Sequence, residues 1–297
     1  MGIIEHIEQN GFVKILCDQP MKKHTTLGVG GNAKYFANAD SLFVLNHLIC
    51  AAKKYKIKYK IIGNGSNLLV SDKGFDGLII CTKKLNDVFF KREQVKAMAG
   101  ADLNKLIKFA VSHGLKGVEN LSGIPGTVGG AVAMNAGAFG QSISDNIVEV
   151  ETLANGKIKK YFKGQCRFSY RSSRFLKGGE TIVSATFEFG AKNKEELEAR
   201  VKEILERRKI MHPKGRSCGS VFKNPVPNSA GALIERANLK GYSVGGAVVS
   251  QKHGNFIINV CSASASDVRN LILHIKEKVY GAFGIFLTEE VEYVGEF

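Results

Sequence analysis

Through residues 42–55 (LFVLNHLICAAKKY) apolar side chains recur every three or four positions, the spacing of one buried helix face. Asp40 stands ready to cap the start, and Lys53 and Lys54 suit the negative end of the helix dipole. The pattern then changes period. YKII (59–62) and LIIC (78–81) are short apolar runs and QVKAMAG (94–100) alternates, so three strands are expected. LNKLIKFAVSHG (103–114) returns to helical spacing between a capping Asp102 and a terminating Gly114. NIVEVETL and KIKKYF flank Asn155-Gly156, a dipeptide that tolerates the positive φ of a hairpin turn.

TIVSATFEFG (181–190) is a further strand, followed from Asn193 by a long helix, KEELEARVKEILERRKIM, with acids early and bases late. Beyond a glycine and serine loop at 215–220 come a short helix around AGALIERAN, a strand FIINV, a helix from Ser266 to about Phe283 and a closing strand EEVEYVG. In that strand, alternation would place Glu289 and Glu290 on opposite faces. The polar AKNKEE stretch suggests a boundary near residue 191, giving domains 1–191 and 192–297. Few helices separate the strands before it, so the class expected is α+β and not a doubly wound sheet.

Composition narrows the partners. The 297 residues carry 42 Lys and Arg against 27 Asp and Glu, a formal charge of +15, with the proportions of a globular chain. Anionic ligands are favoured, whether nucleic acid, a phospholipid surface or phosphorylated small molecules. The cations are mostly scattered lysines without an arginine and aromatic face, which argues against a nucleic-acid partner. Cys17, Cys50, Cys81, Cys166, Cys218 and Cys261 form no C-x-x-C pair or metal-ligand spacing, so no metal is expected and a reducing, cytoplasmic compartment is. The N-terminus MGIIEHIEQNGF lacks the basic and apolar regions of a secretion signal, and no window approaches a membrane span.

Glycine makes up about 11 % of the chain where roughly 7 % is usual. Two clusters stand out. Gly63-Asn64-Gly65-Ser66-Asn67 follows a strand, and its glycines let amide N–H groups approach an anion such as a pyrophosphate. It lacks the third glycine of a dinucleotide fingerprint and the G-K-[ST] end of a P-loop. Residues 123–140 (GIPGTVGGAVAMNAGAFG) hold six glycines in eighteen, with too few bulky side chains to predict a core element. Such small residues suggest a long ligand lying against the backbone, or a helix packed closely on a sheet. Two loops for the two ends of one ligand, without a Rossmann signature, suggest a flavin dinucleotide in another fold.

The strings HTTLGVGGNAKYFA, IIGNGSNLLV, LSGIPGTVGGAVAMNAGAFG, FSYRSSRF, CGSVFKNP, HGNFIIN and FLTEEVEYVG, in this order, resemble UDP-N-acetylenolpyruvoylglucosamine reductases, the MurB family, over nearly the whole chain. The compact length resembles the type II branch. The resemblance implies an FAD-binding domain of the vanillyl-alcohol-oxidase (PCMH) type, its core at about 24–190, followed by a smaller α+β substrate-binding domain. It implies that bound FAD and NADPH reduce UDP-N-acetylglucosamine enolpyruvate to UDP-N-acetylmuramate for peptidoglycan. The chain is expected to be a cytoplasmic monomer with no membrane partner.

By the same resemblance Arg171 would bind the substrate carboxylate, Ser220 would give a proton to the carbanion-like carbon, and Glu290 would polarise the intermediate in protonated form. FAD would lie against Gly63, Asn64, Gly65, Ser66, Asn67 and Leu68, against Gly123, Ile124, Pro125, Gly126, Thr127, Gly129, Gly130, Asn135, Ala136, Gly137 and Ala138, and against Ile182. Tyr170, Lys223, Asn224 and His253 would face the substrate, with Arg207, Arg208 and Lys209 as further diphosphate partners. Arg216 and Cys218 replace a proline and an alanine common in the family, and His212 a frequent glutamine, so the 213–219 loop is where this chain departs. An alcohol or sugar oxidase of the same FAD fold is the alternative.

Overall fold

The computed structural model describes residues 2–9, 11–176 and 179–297, and the chain forms two compact units. The first comprises Met1–Leu16, Phe36–Asn64 and Gly77–Arg208; the second comprises Cys17–Tyr35, Gly65–Asp76 and Lys209–Phe297. The chain therefore visits the second unit in two short excursions before it stays there.

The first unit contains helices α1 (Ile3–Glu8), α2 (Leu42–Lys54), α3 (Leu103–Ser112), α4 (Val128–Met134) and most of α5 (Lys194–Met211). Ser41, one residue later than the expected Asp40, caps α2: its Oγ accepts from Val44 N–H at 3.2 Å. A cap side chain reaches the amide two or three residues ahead, and Asp40 lies one residue too early for that. Asp102 does cap α3, accepting from Asn104 and Lys105 N–H, and Gly114 follows with φ +67°. Five antiparallel strands form a sheet in the order Lys157–Phe162, Ile147–Ala154, Thr181–Phe187, Gln94–Met98, Val88–Lys91. Asn155 and Gly156 take φ +49° and +75° in its hairpin. Val95, Ala97, Val150, Ala185 and Phe187 share one core with Leu103, Leu106, Ile107 and Ala110 of α3.

The 123–140 stretch corrects the expectation that it makes no core element. It contains α4, whose Val128 and Val132 are fully buried in that core. Glycine, not bulk, makes the contact: a Cβ on Gly129 would stand 2.8 Å from Ala99 Cβ, and Gly129 N–H donates to Ala99 O at 2.8 Å. Small residues let the helix backbone touch its neighbour directly, the same close approach that a ligand would need.

The second unit contains α6 (Ala230–Arg236), α7 (Ala265–Phe283) and an antiparallel sheet of Ser243–Val244, Ala247–Val249 and Ile257–Asn259. Leu68–Val70 pairs in parallel with Glu292–Val294. Its core joins Leu27, Val29, Leu69, Val221 and Phe222 to Leu233, Ile234 and the inner face of α7. Ser264 Oγ caps α7 by accepting from Asp267 N–H, and the Asp72 carboxylate receives Ala265 and Ser266 N–H at 2.7 and 2.8 Å. The closing strand begins only at Glu292, so strand alternation does not govern Glu289 and Glu290. Glu290 N–H is spent on Val221 O at 2.7 Å, outside any regular ladder. Among the described residues no helix is long and apolar enough to cross a membrane, and no His, Cys, Asp or Glu cluster suits a metal ion.

Candidate functional site

In the first unit the parallel strand Tyr59–Ile62 delivers Gly63 and Asn64, and Gly63 lies directly against Thr127, where a methyl group would collide with Thr127 Oγ1. The two glycine stretches thus meet at this point. Thr127 Oγ1 caps α4 by accepting from Gly130 N–H, while Val128 and Gly129 N–H go to Ala101 and Ala99 O. The first turn of α4 is therefore satisfied within the protein. At its other end Asn135 takes the left-handed conformation, φ +46°, and its Nδ2 donates to Ser169 O at 2.9 Å.

That contact docks the turn carrying Tyr170 and Arg171. Ser169 and Ser172 exchange both backbone hydrogen bonds, at 3.0 and 3.1 Å, which leaves the two residues at the tip of a tight turn. Arg171 sits at φ +51°, in the left-handed region that a side chain with a Cβ seldom adopts. Its Nη2 donates to Gly137 O at 2.8 Å, its guanidinium lies 5.2 Å from the Tyr170 ring centre, and Ser173 Oγ donates to Ala133 O at 2.7 Å.

Two buried polar atoms in and beside the 123–140 stretch have no partner: Asn135 Oδ1 and Arg208 Nη2. Arg208 Nε donates to Ser122 O at 2.6 Å, its Cδ would stand 2.9 Å from a Cβ on Gly123, and Phe139 lies under the guanidinium. Burial pulls its pKa down to about 10, still well above neutrality. An unsatisfied buried donor or acceptor costs roughly 1–3 kcal/mol, so a bound group that supplies partners is favoured there. A guanidinium and a carboxamide suit the phosphates and ring heteroatoms of a flavin dinucleotide, so the residues present fit FAD. Ile182 is buried in the central strand of the neighbouring sheet.

In the second unit Ser220 and Glu290 are brought onto adjoining segments. Ser220 bridges Phe256, Phe222 bridges Glu289, and Lys223 N–H donates to Thr288 O at 2.8 Å. Asn67, from the first glycine stretch, brackets Glu290: its Nδ2 donates to Glu290 O and its own carbonyl accepts from Glu292 N–H, both at 2.9 Å. The Glu289 carboxylate is engaged elsewhere, 2.8 Å from Lys276 Nζ. Gly65 lies close to the His24 backbone, and Leu68 starts the paired strand. Asn224 Oδ1 accepts from Ala230 N–H at 3.0 Å. His253 Nδ1 accepts from Asn255 N–H at 3.2 Å, which leaves the ring proton on Nε2, and burial lowers its pKa below the ordinary histidine value.

The departing loop is anchored rather than loose. Arg216 O accepts from Asn259 N–H at 3.0 Å, Thr26 Oγ1 donates to Ser217 O at 2.7 Å, and the His212 ring lies 5.0 Å from that of Phe256. Burial pushes the Cys218 thiol up to about 12, so it stays protonated and unreactive. Asn255 and Asn259 were not singled out from the sequence. Both are buried: Asn255 clamps Phe222, and Asn259 Nδ2 donates to Leu27 O at 3.1 Å. Their signal was two amides bracketing the apolar run of HGNFIIN.

A family model for an FAD binding domain matches residues 33–161, and one for the C-terminal domain of UDP-N-acetylenolpyruvoylglucosamine reductase matches residues 211–294. The UDP-N-acetylenolpyruvoylglucosamine reductase of Caldicellulosiruptor saccharolyticus is 43% identical over 291 residues, 96% of this chain and 93% of that protein. The Bacillus subtilis enzyme of the same name is 38% identical over 297 residues, covering 99% and 98%. The crystal structure of MurB from Thermus caldophilus matches at a TM-score of 0.82 and 34% identity, over 95% of this chain and 99% of that one. With both units matched and the identity sustained from end to end, the chain belongs to the UDP-N-acetylenolpyruvoylglucosamine reductase (MurB) family, FAD-binding oxidoreductases of peptidoglycan precursor synthesis.

Proposed function

We propose that this chain, a type II member, reduces UDP-N-acetylglucosamine enolpyruvate to UDP-N-acetylmuramate with NADPH as reductant, as a cytoplasmic monomer. The observation that carries the reading is Arg171, strained at positive φ and anchored to Gly137 beside the unpartnered Asn135 Oδ1. Gly63, Thr127, Asn135 and Arg208 would hold FAD, which would supply hydride chemistry with NADPH as reductant, the hydride being required at the vinyl carbon remote from the substrate carboxylate.

The carbon next to the carboxylate is then left with an electron pair that spreads onto the carboxylate oxygens. Arg171 pairs with those oxygens through the planar fork of its guanidinium, which matches a carboxylate bidentately. Ser220 Oγ gives its proton to the carbon and regains one through water, so the double bond gains one hydride and one proton. Glu290, in protonated form, donates a hydrogen bond to the growing negative charge; as a carboxylate it would oppose that charge. Tyr170, Lys223, Asn224 and His253 hold the rest of the nucleotide sugar.

The purified protein is expected to be yellow, to bleach with NADPH under anaerobic conditions, and to regain colour faster with the enolpyruvyl substrate than with air. A folded protein that takes up no FAD, or that only oxygen re-oxidises, sinks the reading; the second result points to the oxidase alternative. Arg208, expected from the sequence beside the substrate diphosphate, we assign instead to a cofactor phosphate because it lies against Gly123. Since a hydrogen bond to a charged group is worth about 1.5–3 kcal/mol, Arg208→Met should retain FAD roughly tenfold or more weakly. The flavin-to-protein absorbance ratio after dialysis measures this, and an unchanged ratio removes the assignment.

A further inference from the structure

We infer that Asn255 is a positioning residue for Ser220, acting through the backbone of Phe222; the inference rests on the proposed proton-donor role of Ser220. Asn255 is 3% exposed, and its carboxamide takes both backbone groups of a single residue. Oδ1 accepts from Phe222 N–H at 2.9 Å, and Nδ2 donates to Phe222 O at 2.8 Å. The Asn255 carbonyl accepts from Val221 N–H at 2.9 Å, and the next residue, Phe256, bridges Ser220.

The bridges at Ser220 and Phe222 are isolated, so no regular ladder holds this segment. Buried peptide groups still need partners, and an asparagine side chain offers one donor and one acceptor much as a neighbouring strand would. On the other side Val221 O accepts from Glu290 N–H at 2.7 Å, so the same short segment ties Ser220 to Glu290. Ser220 is two residues from the clamped peptide, and Phe222, 1% exposed, fills the core beneath it. A displacement of that peptide moves Oγ relative to the carbon it protonates, and misplacement by about 1 Å can cost 10²-fold.

The test uses the FAD-loaded enzyme with Asn255→Asp, which keeps the acceptor and loses the donor, and Asn255→Leu, which loses both. Bleaching by NADPH should stay within about twofold of the parent, re-oxidation by the enolpyruvyl substrate should slow by roughly 10–100-fold, and the Phe222 amide should exchange hydrogen faster. Added to Ser220→Ala, Asn255→Asp should slow re-oxidation no further, because the position of an absent donor has no effect. Both variants leave Phe222 backbone groups unpaired in the core, so where leucine yields no flavoprotein the nearly isosteric aspartate decides. Parent-like re-oxidation in Asn255→Asp overturns the inference, as does equal slowing with and without Ser220, the mark of a merely structural role. If Ser220→Ala itself re-oxidises normally, it is the reading of Ser220 that fails.

Discussion

Ser220→Ala is expected to bleach with NADPH at the parent rate and to be re-oxidised by the enolpyruvyl substrate roughly 10²–10⁴-fold more slowly, the usual contribution of a positioned proton donor. The split between the two half-reactions is the informative part. Removing one hydroxyl leaves the backbone pairing of Ser220 with Phe256 intact, so the segment stays in place and only the transferable proton is lost. Stopped-flow absorbance resolves the two steps separately. Loss of NADPH bleaching with normal re-oxidation would falsify the donor assignment. Ser220→Cys restores an acidic proton on a longer bond and should recover part of the rate.

For Arg171→Ala a fall in turnover of roughly 10²–10³-fold is expected, since the donor aimed at developing carboxylate charge is removed. Arg171→Lys keeps the charge but not the fork, and should fall between the two. The positive φ of Arg171 supplies an internal control. Glycine adopts that conformation without strain, so Arg171→Gly should fold at least as well as Arg171→Ala while being equally slow. A thermal melt beside a kcat measurement separates stability from chemistry. Near-normal turnover in the alanine variant, or a loss of rate that follows loss of folding across the series, would show that Arg171 serves the turn and not the substrate.

Features decided within a few residues could be read from the chain in advance. Helix period placed α3 and α7, Asp102 announced its cap, and Asn155-Gly156 announced its hairpin, because each depends on groups within one turn of backbone. The motif strings likewise pointed to the family, and the matches at both units bear that out. Near misses occurred where local chemistry offered two answers, as with Asp40 and Ser41. The larger error, denying residues 123–140 a core element, came from equating a core with bulk, whereas α4 packs through glycine against the backbone of Ala99.

The sequence by itself determined the strongly periodic helices, the hairpin, the glycine-rich approaches and the residue types able to handle a carboxylate and a proton. Only the tertiary structure decided what each of these groups does with its remaining hydrogen bonds. Asn135 joins Ser169, Arg208 joins Ser122, Asn67 joins Glu290 and Asn255 closes on Phe222, across 34, 86, 223 and 33 residues of chain. Pairings over such separations leave no periodic trace in a sequence, since they are fixed by the requirement that every buried polar group find a partner once the chain has packed.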